Sequence, residues 1–484
     1  MKRRKDHYGK TVSPGVQALR DVVEKVYREL REAKEAGEPV GWSSSKFPCE
    51  LAESFGLHVG YPENQAAGIA ANRDGEVMCQ AAEDLGYDND ICGYSRISLA
   101  YAAGYRGANK MDKDGNYVIN PNSGKPLKDA NGNKVLDENG KPVKDPKTLK
   151  PYATTDNIYE IAALPDGEEK TRRQNALHKY RQMTMPMPDF VLCCNNICNC
   201  MTKWYEDIAR RHNIPLIMID VPYNEFDHVN EANVKYIRSQ LDTAIRQMEE
   251  ISGKKFDEDK FEQCCQNANR TAKAWLKVCD YLQYKPSPFN GFDLFNHMAD
   301  VVTARGRVEA AEAFELLASE LEEHVKNGTT TAPFKEQHRI MFEGIPCWPK
   351  LPDLFKPLKA NGLNITGVVY APAFGFVYNN LDELVKAYCK APNSVSIEQG
   401  VAWREGLIRD NKVDGVLVHY NRSCKPWSGY MPEMQRRFTK DLGIPTAGFD
   451  GDQADPRNFN AAQYETRVQG LVEAMEANDA KKGN

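Results

Sequence analysis

Two stretches of this chain repeat one plan, and that plan limits the fold more than any other feature. Asp189-Phe190-Val191-Leu192 leads into Cys193-Cys194-Asn195-Asn196-Ile197-Cys198-Asn199-Cys200. Asp414-Gly415-Val416-Leu417-Val418 leads into His419-Tyr420-Asn421-Arg422-Ser423-Cys424-Lys425-Pro426-Trp427-Ser428. Each is followed by a helical pattern, then by a second apolar run opening with Ile-Pro, at Ile214-Pro215 and at Ile444-Pro445. Strand, polar turn, helix and strand make a βαβ unit, so its repetition argues for parallel sheets. A third stretch, Asp90-Ile91-Cys92-Gly93-Tyr94-Ser95-Arg96, reads the same way, with a cysteine where a strand ends and a helix begins. Thiols at the carboxyl ends of parallel strands face the crevice where open α/β sheets bind ligands. Helix N-termini there are expected to lower thiol pKa and favour thiolate ligands.

A chain of 484 residues is too long for one core, so two or three domains are expected. A formal net charge of −5 argues against a nucleic-acid binder, which needs a basic face. No apolar run is long enough to cross a membrane. Met1 to His7 is basic with no apolar stretch behind it, so it is not a signal peptide, and a cytoplasmic location is expected. The 13 cysteines are odd in number without an export signal, which favours metal binding or catalysis over a disulfide framework.

Residues 14 to 37 form an amphipathic pattern with Val16, Leu19, Val22, Val23 and Val26 on one side. Val40-Gly41-Trp42 and Phe55 to Val59 read as short strands followed by turns, and Ala66 to Ala71, Val77 to Leu85 and the run from Cys92 read as helices. Residues 109 to 150 carry four Gly/Asn turn signals and read as an inserted meander of surface hairpins. The Asp129-Ala130-Asn131-Gly132-Asn133 run lacks the glycine and closing glutamate of a calcium loop. Residues 230 to 326 are helical nearly throughout, with breaks at Gly306 and around Pro286 to Gly291. Strands return at Arg339 to Phe342 and Ile365 to Tyr370, and a last helix covers Phe459 to Met475. The expected fold is α/β: two Rossmann- or flavodoxin-like lobes with parallel sheets, joined by a helical segment. The boundaries are 1–229 (with the 109–150 insertion), 230–337 and 338–484.

Cys49, Cys79, Cys264, Cys265, Cys279 and Cys389 fall within or beside helical patterns and read as packing residues. Cys347 sits in an Ile-Pro-Cys-Trp-Pro stretch that no repeat supports. The run Cys193, Cys194, Cys198, Cys200 lacks a second CxxC pair, and adjacent strand residues point to opposite faces, so it does not read as one zinc site. Asp189 to Cys198 spans nine steps and Asp414 to Cys424 ten, each with an asparagine shortly before the cysteine. That alignment pairs Cys198 with Cys424 and leaves Cys92 as the third partner, with Cys194 as the competitor for Cys198. Three thiolates suit an iron–sulfur cluster with one iron left open.

Gly60-Tyr61-Pro62-Glu63-Asn64, Cys92-Gly93-Tyr94-Ser95-Arg96, Asn195-Asn196-Ile197-Cys198 with Lys203-Trp204-Tyr205-Glu206, and His419 to Lys425 together resemble the 2-hydroxyacyl-CoA dehydratase family. Benzoyl-CoA reductase subunits belong to the same broad group. The resemblance covers nearly the whole chain except the insertion. Length and the cysteine-rich second motif are most similar to the α subunits of its glutaryl-specific members.

The resemblance implies a lyase subunit that removes water from (R)-2-hydroxyglutaryl-CoA to give (E)-glutaconyl-CoA. It implies a [4Fe–4S] cluster on Cys92, Cys198 and Cys424, and a related β subunit with its own cluster. It also implies a separate ATP-dependent iron–sulfur activator and reduced FMN in the complex, with no flavin site evident in this chain. A thioester acidifies its α proton and not its β proton, so simple elimination has the wrong polarity. One-electron reduction to a ketyl radical expels the hydroxide and acidifies the β proton. Glu63 matches the family position for a proton-handling carboxylate, and Ser45 a nearby hydroxyl. Read without the resemblance, Glu63 is a first-turn helix carboxylate and Ser45 a turn or cap serine. Two alternatives remain beside a dehydratase for this or another 2-hydroxyacyl-CoA: a benzoyl-CoA-reductase-like subunit, and a non-catalytic electron-transfer subunit. No sequence feature selects the cation for a distal carboxylate among 63 Lys and Arg.

Overall fold

The computed structural model describes residues 11–180, 184–378 and 380–482. The basic start, Met1 to His7, lies outside the described residues.

Two four-stranded parallel sheets organise the chain. The first contains β1 (Val40–Ser43), β2 (His58–Gly60), β3 (Phe190–Cys194) and β4 (Leu216–Ile219), in the order β2-β1-β3-β4. The second contains β5 (His338–Glu343), β6 (Leu363–Val368), β7 (Gly415–Asn421) and β8 (Thr446–Gly451), in the order β6-β5-β7-β8. The two orders are the same when strands are counted within each sheet. β1, β3 and β6 are buried at every position, as strands covered on both faces must be.

The duplication extends to single hydrogen bonds. The Asp189 carboxylate accepts from the Val40 amide at 2.9 Å, and the Asp414 carboxylate accepts from the Arg339 amide at 2.8 Å. In both sheets the aspartate precedes the third strand and pins the start of the first. Both Ile-Pro openings also match: Pro215 O accepts from Val191, and Pro445 O from Val416. The expected pair of α/β units is therefore present.

Helices Glu231–Ser252, Glu258–Asp280, Asp293–Thr303 and Val308–Lys326 fill the expected helical stretch. The helix Pro14–Glu35 packs on Val308–Lys326 as well as on β2. The contact is close enough that a Cβ at Gly15 would fall 2.8 Å from the Leu317 backbone. A smaller cluster packs Met341, Val416 and Val418 of the second sheet against Val401, Ile408, Met434 and Phe438, and buried apolar residues of both sheets and of the helical segment form a larger continuous one. Charges are buried there too: Arg305 Nε lies 3.2 Å from Glu50 Oε1, and both side chains are almost fully enclosed.

The insertion is a meander of short bridges, at Met111–Tyr117, Lys128–Lys134, Leu136–Pro142 and Pro126–Lys144. Asp112, Asp129 and Asp137 each accept backbone N–H bonds within their own turn, and Gly115, Gly132 and Gly140 supply the positive φ. The antiparallel pair Tyr105–Asn109 and Ala153–Asn157 holds its base.

Three local expectations are corrected. Phe55 and Gly56 do not begin β2; they end the helix Cys49–Ser54. Gly56 at φ +68° lets Leu57 N–H reach Ala52 O and Gly56 N–H reach Glu53 O, the hydrogen-bond pair of a glycine helix stop. The strand expected through Tyr370 ends at Val368. No strand precedes Cys92: the helix Gly75–Asp84 does, followed by a turn through Gly86 at φ +93° and the Asp88 side chain, which accepts from Asp90 N–H.

Candidate active site

The carboxyl ends of seven of the eight strands supply residues to one cavity. Ser45 and Lys46 follow β1, Glu63 follows β2, and the run from Asn196 to Met201 follows β3. Ile345, Tyr370, Cys424 and Gln453 follow β5, β6, β7 and β8. A cavity of about 760 Å³ thus lies between the two sheets, where an open α/β fold leaves its crevice.

Cys92, Cys198 and Cys424 all line it. Each is the residue capping a helix N-terminus: Gly93–Ala102, Asn199–His212 and Lys425–Ser428 respectively. The local sequence explains this. A strand or turn ends in polar residues, and the cysteine is the last position before helical periodicity begins. Cys194 is 1 % exposed at the end of β3, does not line the cavity, and has its amide bonded to Ser44 Oγ at 3.1 Å. Cys200, two residues past Cys198 in the first turn of the helix Asn199–His212, is a fourth thiol in the cavity. The sequence reading left it out because the repeat has no counterpart for it.

Helix N-termini do not make these thiols acidic. Burial pushes the Cys92 thiol well above the usual range, and Cys200, Cys198 and Cys424 push it further. Burial raises Cys198 as well, with Cys424 and Cys200 adding to it. Cys424 is pushed up to about 12, mainly by burial. The expected lowering by the helix dipole is overturned because desolvation and like-charge repulsion outweigh it. Four half-buried thiols gathered in one cavity form a site that favours a cationic, thiophilic guest. Among the described residues, no three His, Cys, Asp or Glu side chains are grouped to hold a single metal ion. Thiols arrayed round a cavity are the kind of ligand an iron–sulfur cluster takes.

Glu63 stands in the first turn of the helix Pro62–Ala71. Its Oε1 accepts from Ser45 N at 2.9 Å and from Ser45 Oγ at 3.0 Å, and its Oε2 accepts from Tyr205 Oη at 2.7 Å. The two residues expected at the site therefore touch. Burial raises the Glu63 pKa, and the Ser45 and Tyr205 bonds only partly offset it. Glu63 and Ser45 also line a second cavity, of about 730 Å³, so they form part of the wall between the two.

Sequence reasoning missed Tyr205 and Lys46. Tyr205 lies on the buried face of Asn199–His212, where a core tyrosine and an active-site tyrosine have the same pattern. Lys46 follows Ser45 and is 4 % exposed, against the usual habit of lysine, and nothing in Ser-Lys-Phe-Pro signals that.

The family model for "2-hydroxyglutaryl-CoA dehydratase, D-component" matches residues 170–475. The chain belongs to that family. It is 95 % identical over 474 residues, 98 % of this chain and 99 % of the relative, to the protein named (R)-2-hydroxyglutaryl-CoA dehydratase, subunit alpha, of Acidaminococcus fermentans. It is 46 % identical to the (R)-phenyllactyl-CoA dehydratase alpha subunit of Clostridium sporogenes, over 95 % of each chain. It is 41 % identical to the (R)-2-hydroxyisocaproyl-CoA dehydratase alpha subunit of Clostridioides difficile, again over 95 % of each. The stretch matched by the D-component model contains Cys198 and Cys424; Ser45, Glu63 and Cys92 lie before it.

Proposed function

We propose that this chain is the iron–sulfur α subunit of a radical dehydratase that converts (R)-2-hydroxyglutaryl-CoA to (E)-glutaconyl-CoA, working with a related β subunit, an ATP-dependent one-electron activator and, in the complex, reduced FMN. The observation that carries the reading is that Cys92, Cys198, Cys424, Ser45 and Glu63 line one cavity between two parallel sheets. Near-identity to a relative of that name supports the substrate. Cys92, Cys198 and Cys424 would hold a [4Fe–4S] cluster, which supplies one-electron redox chemistry and a Lewis-acidic iron. We assign no residue of this chain to FMN.

The chain's own part is proton handling. Elimination requires a proton for the departing hydroxide and removal of a proton from the β carbon. One carboxyl group can do both in sequence. With its pKa raised by burial, Glu63 takes up a proton more readily than an exposed carboxylate, gives it to the leaving hydroxide as water forms, and then accepts the β proton. No net proton is gained, and the electron delivered at the start is returned at the end. Tyr205 and Ser45 hold both carboxylate oxygens in place, and the Ser45 oxygen keeps acceptor lone pairs for a substrate hydroxyl. The apolar cavity wall, with Phe374 and Trp427, keeps water from quenching a radical.

The test is turnover by the anaerobic complex with the activator and catalytic ATP. Redox-neutral formation of the enoyl thioester from the 2-hydroxyacyl thioester is expected. A product reduced by two electrons would instead make the chain a reductase subunit.

A further inference from the structure

Lys46 is the one basic side chain lining the thiol cavity among the described residues. Its Nζ lies 4.9 Å from the Phe374 ring centre and 5.1 Å from that of Phe376. No hydrogen bond or ion pair to it occurs among the described residues. Glu50, four residues on, pairs through Oε1 with Arg305 at 3.2 Å and with Tyr378 Oη at 2.6 Å, and its Oε2 has no partner, Lys46 included. Glu63 is held by Ser45 and Tyr205. Burial lowers the Lys46 ammonium to about 7, and the charge on Arg305 adds to the effect.

An ammonium group enclosed by aromatic rings without a counter-ion is a costly arrangement. Removing it would be easy for a fold that needed only packing there. An anionic guest in the cavity would supply the missing counter-charge. Asn196 adds a second observation: it is 1 % exposed, lines the same cavity, and neither atom of its amide has a partner. Its Nδ2 is a spare donor on the same side of the fold, and the rest of the wall is apolar enough for methylene groups.

We propose that Lys46 binds the distal carboxylate of a dicarboxylic acyl thioester and thereby selects it over thioesters with apolar tails. This rests on the dehydratase reading and specifies its substrate class. Ser45 and Lys46 are adjacent, so one turn after β1 serves both ends of the acyl group. Ser45, with Glu63, attends the reacting end, and Lys46 attends the tail. The apolar-tailed names of the relatives at 46 % and 41 % identity show that the family is not confined to one kind of tail.

The experiment compares equilibrium binding of glutaryl-CoA and pentanoyl-CoA, which lack the 2-hydroxyl and do not react, to the anaerobic complex carrying wild-type chain, Lys46→Met or Lys46→Arg. Wild type is expected to prefer glutaryl-CoA. Lys46→Met should lose about 10- to 100-fold for glutaryl-CoA, the range for one charge-assisted contact, while pentanoyl-CoA changes far less. Lys46→Arg should keep the preference, and it carries the test if the Met variant does not fold. Equal losses for both thioesters, or an unchanged preference in Lys46→Met, overturn the assignment of Lys46 alone. A wild-type complex that binds neither thioester overturns the dehydratase reading and this proposal with it.

Discussion

Replacing Glu63 with glutamine separates chemistry from architecture. The carboxylate receives three hydrogen bonds, two from Ser45 on Oε1 and one from Tyr205 on Oε2. Glutamine keeps the Oε1 acceptor, but its NH₂ group faces Tyr205, whose hydroxyl must turn round and accept. Three charge-assisted bonds become neutral, a loss of about 0.5–1.5 kcal/mol each. Against this, the variant no longer buries a charge. Because burial already outweighs those bonds in raising the Glu63 pKa, removing the charge offsets their loss. Glu63→Gln is therefore expected to stay within about 1 kcal/mol of wild-type stability and to keep its iron. Its turnover should fall roughly 10²–10⁴-fold, the range for one general acid–base group. Activity, iron content and thermal midpoint on one preparation decide the matter. A cluster-replete Glu63→Gln complex turning over at the wild-type rate refutes the proton-handling role and leaves Glu63 as a structural carboxylate.

Further outcomes follow from the same geometry. Cys92→Ala, Cys198→Ala and Cys424→Ala should each lose iron and activity, whereas Cys194→Ala, outside the cavity, should keep most of both; iron and sulfide analysis checks this, and the reverse pattern would exchange Cys194 for Cys198. Deleting residues 109 to 150 and joining the ends with a short turn should spare the cluster, since exposed turns build no core; loss of the partner subunit on gel filtration would make the insertion an interface. Cluster-free chain should lose stability as pH rises from about 8.5 towards 12, because folded Cys92, Cys198 and Cys424 retain protons that the unfolded chain releases. Their stabilising contribution is fully present below about pH 8.5, so a triple Cys→Ala variant should show a flatter thermal-midpoint profile between pH 8 and 10.

The duplicated unit was legible because it is written locally: an aspartate, an apolar run, a cysteine and an Ile-Pro restart. The structure repeats it down to the Asp189–Val40 and Asp414–Arg339 hydrogen bonds. The hairpin insertion was legible for the same reason, through its Asp-x-x-Gly turns. What depends on distant packing was not. Cys92 reaches the cavity from a turn after a helix, so the strand inferred from its resemblance to the other two motifs was an over-extension. Thiol acidity was misjudged because the helix dipole can be read from the sequence and burial cannot. Tyr205 stood inside a quoted motif without a role and Lys46 outside any, since a tyrosine on a buried helix face and a lysine after three serines are common. Only folding brings Tyr205 to Glu63 across 142 residues and leaves Lys46 without a counter-charge.

The cysteine-lined cavity is proposed as both an iron–sulfur site and the place where substrate binds. Mössbauer spectra of ⁵⁷Fe-loaded chain in its complex, taken with and without (R)-2-hydroxyglutaryl-CoA, test both points at once. Expected is a [4Fe–4S] signature that disappears in Cys92→Ala, Cys198→Ala and Cys424→Ala, with the signal of one iron site altered by substrate. Near-stoichiometric zinc with little iron, or a cluster spectrum unchanged at saturating substrate, would contradict the account.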